Sequence, residues 1–208
     1  VYPSATIYPE SRTFVDPRTV NQILYDKPEE YIRRCVVLHD ATIQDEYARL
    51  FSKVEEITLR NALKKDKKIL LLSDAGYGKS IEMENLAFEL CEERYFPYLI
   101  KLRNYTNAKI ADLLPEAYRK LSQVTKVLLF DGYDELSLDS KLYFEKELRA
   151  YLEENIDSNV VISSRSNFCR TEKAAESKTF PGFKTYNLCK LSRLIHQTIF
   201  TANKMMAQ

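Results

Sequence analysis

Apolar runs alternate with helical patterns along the chain from residue 69 onward. Four short runs are mostly apolar, at residues 69–72, 98–102, 126–130 and 159–163, and the mixed segment 184–188 is the candidate for a fifth strand. Between them, apolar side chains recur at helical spacing over residues 79–94, 109–122 and 139–154. In the last helix, the side expected to be buried carries Leu142, Leu148, Tyr151 and Leu152. Apolar runs of this kind are typical of parallel strands covered by helices, so the alternation predicts an α/β fold.

The segments outside this alternation have different patterns. Residues 43–64 carry apolar side chains at helical spacing and predict one amphipathic helix, which ends at the lysine-rich run 64–68. Residues 1–42 predict an irregular arm with one short strand near residues 35–38. Residues 191–208 predict the start of a helical subdomain that is cut short. We therefore expect an arm at 1–42, the main domain at 43–190 and the subdomain after it.

Composition and charge narrow the class of protein. The 208 residues are enough for one α/β domain with a sizeable core. The 31 Lys and Arg residues balance the 30 Asp and Glu residues, so charge gives no reason to expect a nucleic-acid or membrane partner. No apolar stretch approaches the roughly 18 residues that span a bilayer. These features predict a cytoplasmic protein.

The cysteines show no motif in the sequence. They are spread along the chain at Cys35, Cys91, Cys169 and Cys189. No two of them have C-x-x-C spacing, so the pattern indicates neither a zinc site nor a redox motif. We expect reduced thiols, as is usual in the cytosol.

The run at 69–72 leads directly into a loop with the composition of a phosphate-binding turn. Two of the four glycines, Gly76 and Gly78, fall there and permit backbone dihedrals that other residues avoid. The helix that follows would aim its unpaired N–H groups and positive dipole end at an anion. Lys79 adds a charge for the β- and γ-phosphates, and Ser80 a hydroxyl for Mg²⁺. The candidate nucleotide-binding residues here are Ser73, Asp74, Ala75, Gly76, Tyr77, Gly78, Lys79, Ser80 and Ile81.

Ser73 departs from the usual pattern of such loops. That pattern is G-x-x-x-x-G-K-[ST], and Ser73 stands at its first glycine. We expect this small residue to be tolerated, because the G-x-G-K-S core still stands between a predicted strand and a predicted helix. The loop suits ATP or GTP with Mg²⁺ and does not distinguish the two bases.

An acidic motif follows the run at 126–130. An aspartate at the carboxyl end of a parallel strand points into the crevice where ligands bind, so Asp131 is the candidate Mg²⁺ ligand. Asp134 and Glu135 lie just beyond it, and one of them would orient and deprotonate the attacking water. We favour Glu135. The alternative is that one of these two carboxylates caps the helix that begins near residue 139.

The run at 159–163 ends in Ser163, Ser164 and Arg165. If this strand lies beside the strand at 69–72, Arg165 would sense or stabilise the charge of the γ-phosphate. The alternative is an exposed arginine in a salt bridge.

Together these motifs resemble the NACHT family of STAND NTPases, relatives of the AAA+ ATPases. The match rests on AGYGKS at 75–80 after an apolar strand and on LLFDGYDE at 128–135. Segments 96–103, 163–165 and 186–192 are similar to the second strand, the sensor position and the exit into a helical subdomain of that family. The resemblance covers roughly residues 43–195.

The resemblance implies both a fold and a function. The fold is a three-layer P-loop NTPase with five parallel strands, which we expect in the order 5-1-4-3-2. The function is a nucleotide-gated switch, in which ATP binding promotes self-association and the assembly activates an effector in innate immunity or anti-phage defence. In the wider group a segment before the phosphate loop helps to hold the base, and its candidate residue here is Arg34.

Two other functions stay open at this point. A small P-loop kinase usually carries an arginine-rich lid and an acceptor pocket, and the sequence shows no such lid. A non-hydrolysing scaffold module would keep the phosphate loop without turnover. Steady-state hydrolysis separates the switch from the scaffold, and added acceptors test the kinase.

Overall fold

A computed structural model describes residues 6–7, 14–15, 27–28, 31–39, 55–93, 95–121, 124–169 and 175–189. The described strands are β1 Thr6–Ile7, β2 Phe14–Val15, β3 Val36–Leu38, β4 Glu56–Ile57, β5 Lys68–Ser73, β6 Tyr95–Lys101, β7 Thr125–Asp131, β8 Asn159–Arg165 and β9 Lys184–Leu188. The described helices are α1 Leu59–Asp66, α2 Lys79–Glu92, α3 Ile110–Leu113, α4 Glu116–Lys120 and α5 Leu138–Glu154. Short 3₁₀ turns cover Leu102–Asn104, Tyr133–Glu135 and Ser166–Phe168.

The main sheet has seven strands in the order β4-β3-β9-β5-β8-β7-β6. From β9 to β6 all neighbours are parallel, which confirms the predicted α/β class and the predicted order 5-1-4-3-2. On the other side of β9, β3 and β4 continue the sheet in antiparallel pairing. The short strand predicted near residues 35–38 is therefore present and belongs to the main sheet, although it precedes residue 43. Strands β1 and β2 form a separate antiparallel pair.

Strand β5 shows why the sheet needs helices on both faces. Leu70 and Leu72 pack with Phe144 of α5 in one core, whereas Ile69 and Leu71 pack with Met83 of α2 in the other. All four aliphatic side chains are at most 1% exposed. Burying each contributes about 1.5–3 kcal/mol, so the continuous apolar run is what holds this central strand between two helical layers.

The helix predicted over residues 43–64 is wrong at residues 55–58. Strand β4 occupies Glu56–Ile57 and pairs with β3, and helix α1 begins only after Thr58. The Thr58 hydroxyl accepts a hydrogen bond from the Asn61 N–H at 3.2 Å, which is a standard N-cap. The rest of that prediction, residues 43–54, lies outside the described residues, as does the predicted subdomain at 191–208.

Other boundaries shift for identifiable reasons. The helix predicted over 109–122 is two short helices, because Pro115 disfavours the helical conformation at Leu114, which has φ −93° and ψ 130°. Strand β6 begins three residues before the predicted 98–102 and includes Pro97, which an edge strand tolerates. In α5 the buried residues are Phe144 and Leu148, while Leu142 is 61% exposed. Placing Leu142 on the buried side was wrong, because six residues on a helix correspond to about 240° of rotation.

None of the helices in the described part of the chain combines the length and apolarity needed to cross a membrane.

Candidate functional site

The phosphate loop connects β5 to α2 at the carboxyl edge of the parallel strands. Gly76 and Gly78 have φ values of +77° and +75°, so both adopt the left-handed conformation that favours glycine. Gly78 is also the N-cap of α2, and no side chain caps this helix end. The first-turn N–H groups of α2 are therefore the part of this loop best suited to an anion.

Lys79 lies across its own loop. Its Nζ donates hydrogen bonds to the backbone carbonyls of Ser73 at 3.2 Å and Asp74 at 3.4 Å. Burial lowers the pKa of Lys79, Asp134 and Asp131 act in the opposite direction, and the charge of Arg165 lowers it further. The ammonium group therefore lies within electrostatic reach of the acidic motif and of Arg165.

The other loop residues differ in exposure. Ser73 is 6% exposed and its hydroxyl donates to the Asp74 carbonyl at 3.2 Å. Tyr77 is half-buried, whereas Ile81 is 52% exposed. Asp74, Ala75, Gly76 and Ser80 are also exposed. Ser80 thus has its hydroxyl on an accessible first turn of α2.

Asp131 ends β7 and is 7% exposed. Its Oδ1 accepts a hydrogen bond from the Ser163 hydroxyl at 2.5 Å, and the same hydroxyl accepts one from the Gly132 N–H at 2.9 Å. Ser163 comes from the neighbouring strand β8 and is fully buried. The orientation of the Asp131 carboxylate is therefore set from the adjacent strand.

Asp134 is held by Arg165 through two contacts. The Arg165 Nε lies 2.8 Å from Asp134 Oδ2, and the Arg165 backbone N–H donates to Oδ1 at 3.0 Å. The Asp134 side chain is 5% exposed and that of Arg165 is 48% exposed. Because β8 pairs with β5 so that Arg165 lies opposite Ser73, this ion pair lies beside the phosphate loop.

Glu135 is exposed and folds back over Gly132. Gly132 has φ +86°, and a Cβ added there would lie 3.1 Å from Glu135 Cδ. Neither Asp134 nor Glu135 caps α5, because Ser137 is the N-cap and its hydroxyl accepts from the Ser140 N–H at 3.2 Å. The helix-cap alternative considered for these carboxylates is therefore wrong.

Arg34 reaches the phosphate loop from the segment just before β3. Its guanidinium donates through Nη1 to the Tyr77 carbonyl and through Nη2 to the Cys189 carbonyl. A Cβ added to Gly78 would lie 3.0 Å from Nη1, so Arg34 packs directly against the loop. The arginine is 7% exposed, and within the described part of the chain its Nε has no hydrogen-bond partner.

A second contact links the same segment to α2. The Tyr31 hydroxyl donates to Glu82 Oε2 at 2.7 Å, and Glu82 is 3% exposed. Burial raises the pKa of Glu82 to about 7, although the Tyr31 hydrogen bond and the Arg34 charge both lower it. Glu82 thus titrates near neutral pH within the first turn of the helix that follows the phosphate loop.

The structure brings the predicted site residues together at one edge of the sheet. These residues lie on loops, at strand ends or in the first turn of α2, and they are Arg34, residues 73–81, Asp131, Asp134, Glu135 and Arg165. Sequence reasoning missed Ser163 as a partner of Asp131, although two serines ending an apolar strand were a usable signal. It also missed the Tyr31–Glu82 pair, for which the sequence offers no signal, because acidic side chains are common on helix surfaces.

The residues present fit a nucleoside triphosphate with Mg²⁺. The loop provides two left-handed glycines and an uncapped helix end, and the buried Arg34 offers a further unsatisfied donor nearby. Hydroxyl and carboxylate oxygens from Ser80 and Asp131 are hard donors of the kind that Mg²⁺ prefers.

Two surface cavities lie away from these residues. One, of about 710 Å³, is lined by Leu63, Thr125 and Asn159 among others, at the amino ends of the strands. The other, of about 620 Å³, lies between α5 and residues 179–183. Neither of these two cavities is lined by the charged groups that converge on the phosphate loop.

Comparisons with known proteins give distant fold matches. No family model matches the chain, and no curated protein matches it. AMPPCP-bound DnaA from Aquifex aeolicus aligns with a TM-score of 0.37 and 17% identity over 51% of this chain and 36% of DnaA. Protein NMB1076 from Neisseria meningitidis aligns with a TM-score of 0.32 and 13% identity over 61% of this chain and 78% of that protein. PCH-2 from C. elegans aligns with a TM-score of 0.30 and 15% identity over 73% of this chain and 44% of PCH-2. The chain thus spans about a third of the DnaA structure.

Proposed function

We propose that this domain binds ATP with Mg²⁺ and hydrolyses it slowly, as the core of a nucleotide-gated switch. The observation that carries the proposal is the geometry of the phosphate loop. Two left-handed glycines lead into an uncapped helix at the carboxyl edge of a parallel sheet, and Lys79 follows them within electrostatic reach of Asp131, Asp134 and Arg165. This combination suits a polyphosphate and its counter-ion better than any neutral ligand.

Each group has a distinct task in this proposal. The backbone of residues 73–81 surrounds the phosphates, and Lys79 exchanges its bonds to the Ser73 and Asp74 carbonyls for phosphate oxygens. Ser80 and Asp131 hold Mg²⁺, which supplies charge neutralisation for the phosphates when bound. Ser163 orients Asp131 for this task, since its hydroxyl occupies one carboxylate oxygen and leaves the other for the metal or its water.

The water-activating base is Glu135 in this proposal. Both carboxylate oxygens of Asp134 are already engaged by Arg165, and the side chain is 5% exposed, so it is poorly placed to contact an attacking water. Glu135 is exposed and lies beside Asp134 at the same edge, and no ion pair engages its carboxylate within the described part of the chain. Arg165 then has two alternative partners, Asp134 in this structure and the γ-phosphate when nucleotide is bound.

Binding is tested by titrating ATP in the presence of Mg²⁺ by isothermal calorimetry. Lys79→Ala should weaken ATP binding at least about a hundredfold, because a charge-assisted contact to phosphate is lost. Lys101→Ala is the matched control, since Lys101 is exposed and pairs with Glu84 on α2. Unchanged affinity in Lys79→Ala, with the control folded and unaffected, would sink the phosphate-loop assignment.

Hydrolysis is tested separately by phosphate release at saturating ATP. Glu135→Gln should keep ATP affinity and slow turnover about a hundredfold, whereas Asp134→Asn should slow it less. The reverse ranking would make Asp134 the base. Binding without any turnover in the wild type would favour a scaffold, and transfer to an added acceptor would favour a kinase.

The switch itself is the NACHT-type part of the proposal, supported by the D-G-x-D-E motif and its place after β7. ATP should promote self-association that ADP does not, and mass photometry with each nucleotide measures it. An unchanged mass distribution in ATP and in ADP would remove self-association from the proposal and leave nucleotide binding untouched. An immune or anti-phage role would follow from the effector attached to such a switch.

A further inference from the structure

Two cysteines that are distant in sequence lie side by side at the antiparallel end of the sheet. The register of β3 and β9 pairs Val36 with Leu188, so Cys35 stands directly opposite Cys189. The Cys189 N–H donates to the Cys35 carbonyl at 3.0 Å, which shows that the pairing continues to this position. Directly opposed residues have their side chains on the same face of the sheet, so both thiols point to one side.

A carboxylate from the next strand completes the group. In the β3–β4 pair Glu56 lies opposite Val37, which shares a face with Cys35. The Cys35 thiol donates to Glu56 Oε2 at 3.5 Å. The two sulfur atoms and the carboxylate oxygen all lie within 4.8 Å of one another. Three adjacent strands thus each contribute one ligand-type atom to a single spot.

These separations match a tetrahedral zinc centre. Zn–S bonds of about 2.3 Å and a Zn–O bond of about 2.1 Å, at a tetrahedral angle, place sulfur and oxygen about 3.6 Å apart and two sulfurs about 3.8 Å apart. The Cys35 to Glu56 separation of 3.5 Å is already close to that value. The other two separations are at most 4.8 Å, so the three atoms lie close enough together to share one ion.

The surroundings suit a bound cation as well. Cys35 and Cys189 are 9% and 5% exposed and pack with Val37 in a small cluster, which limits solvent around the sulfurs. Two thiolates and one carboxylate carry three negative charges against the two positive charges of Zn²⁺. The guanidinium of Arg34, which donates to the Cys189 carbonyl, supplies the remaining positive charge nearby.

We propose that Cys35, Cys189 and Glu56 bind one Zn²⁺ ion, with water in the fourth position. Two thiolates in tetrahedral geometry favour zinc over Mg²⁺ or Ca²⁺, which prefer oxygen ligands. The ion links the segments of β3, β4 and β9 on the antiparallel side of the sheet. Because Arg34 precedes Cys35 directly, the ion also fixes the residue that contacts the phosphate loop.

Cobalt substitution tests the site in the wild-type protein. Protein freed of metal under reducing conditions should, on titration with Co²⁺, develop thiolate-to-cobalt charge-transfer absorption and the intense d–d bands of tetrahedral coordination, saturating at one ion per chain. Added Zn²⁺ should abolish these bands. Absence of charge-transfer absorption in folded, reduced protein would overturn the proposal.

Variants identify the ligands. Zinc content by plasma mass spectrometry should be one ion per chain for the wild type and for Cys91→Ser and Cys169→Ser, whose cysteines lie outside the group. Cys35→Ser and Cys189→Ser should lose nearly all bound zinc, and Glu56→Gln should weaken zinc binding roughly tenfold or more. Zinc retained by the Cys35→Ser/Cys189→Ser double variant would overturn the assignment.

Two further readouts keep the test decisive if a serine variant unfolds. A chelator that removes zinc should lower the melting temperature of the wild type, and stoichiometric Zn²⁺ should restore it, because binding free energy adds to folding free energy. The intact mass of protein purified without air tests the alternative that Cys35 and Cys189 form a disulfide. A mass lower by two hydrogens with no bound zinc, together with a Cys35–Cys189 cross-linked peptide after digestion, would show a disulfide between them and overturn the proposal.

Discussion

The hydroxyl of Ser163 lies 2.5 Å from Asp131 Oδ1 and accepts the N–H of Gly132 at 2.9 Å. One buried side chain on β8 therefore fixes both the carboxylate that ends β7 and the first peptide of the turn after it. The acidic motif is thus positioned by the neighbouring strand as much as by its own sequence. This relationship leads to the first prediction.

Ser163→Ala should destabilise the fold by about 1–3 kcal/mol, because it leaves a buried carboxylate oxygen and a buried N–H without a partner. It should also raise the Mg²⁺ concentration needed for ATP binding, since Asp131 loses its fixed orientation. Urea unfolding and Mg²⁺-dependent calorimetry measure the two effects. Ser164→Ala is the matched control, because Ser164 is equally buried and its hydroxyl donates to the Arg165 carbonyl at 3.3 Å instead of to the Asp131 carboxylate. Equal effects in the two variants would contradict the special role of Ser163.

Gly132→Ala should destabilise the protein more than Gly182→Ala does. Both glycines have similar positive φ values, +86° and +83°, so each substitution costs about 1 kcal/mol or more of backbone strain. Only at Gly132 would the new methyl group meet another residue, Glu135, at 3.1 Å. The difference between the two free energies of unfolding isolates the cost of displacing Glu135. Gly132→Ala should also slow ATP turnover, and turnover equal to that of Gly182→Ala would argue against Glu135 as the base.

Glu82 should make stability depend on pH near neutrality. Burial raises the pKa of Glu82 from its ordinary value of 4.5 to about 7 in the folded protein, so the folded state binds more protons between these limits. Stability should therefore fall as pH rises from about 4.5 to 7 and level off above that, by roughly 2–4 kcal/mol in total. Glu82→Gln should remove most of this slope in urea unfolding measured from pH 5 to 8. Glu84→Gln on the same helix is the control, and a slope unchanged in Glu82→Gln would show that another group is responsible.

Arg165→Ala should separate catalysis from stability. The Arg165 side chain is 48% exposed but that of Asp134 is 5% exposed and would keep only the Arg165 backbone N–H, so the substitution should cost about 1–3 kcal/mol of folding free energy. If Arg165 stabilises the γ-phosphate charge, turnover should nevertheless fall by a factor of roughly 10²–10³. Melting temperature and phosphate release are measured on the same samples. A variant that loses stability and keeps turnover would leave Arg165 as a structural partner of Asp134 alone.

The parallel part of the fold could be predicted because its strands are buried on both faces. A continuous apolar run such as residues 69–72 must be buried on both faces, which requires a central strand. The strand order followed from the resemblance. The strand β4 could not be predicted in the same way. Glu56 and Ile57 continue a helical pattern in sequence, and only their pairing with Val36 and Val37 makes them extended.

The site was predictable where local sequence determines the chemistry, as in the glycines and Lys79 of the phosphate loop. Contacts between distant segments were not. Nothing near Cys35 in sequence indicates Cys189, because the antiparallel register that joins them depends on β3 entering the main sheet. The Tyr31–Glu82 contact depends on the same placement, since both Tyr31 and Cys35 belong to the segment that β3 anchors.

The guanidinium of Arg34 touches two carbonyls that belong to different parts of the chain, Tyr77 in the phosphate loop and Cys189 just after β9. Arg34 thus connects the phosphate loop mechanically to the backbone just after β9. A force applied to the backbone at residue 189 would be transmitted to the phosphate loop through these two hydrogen bonds. Conversely, a ligand that attracts the Arg34 guanidinium would weaken its hydrogen bond to Cys189 and release the backbone there.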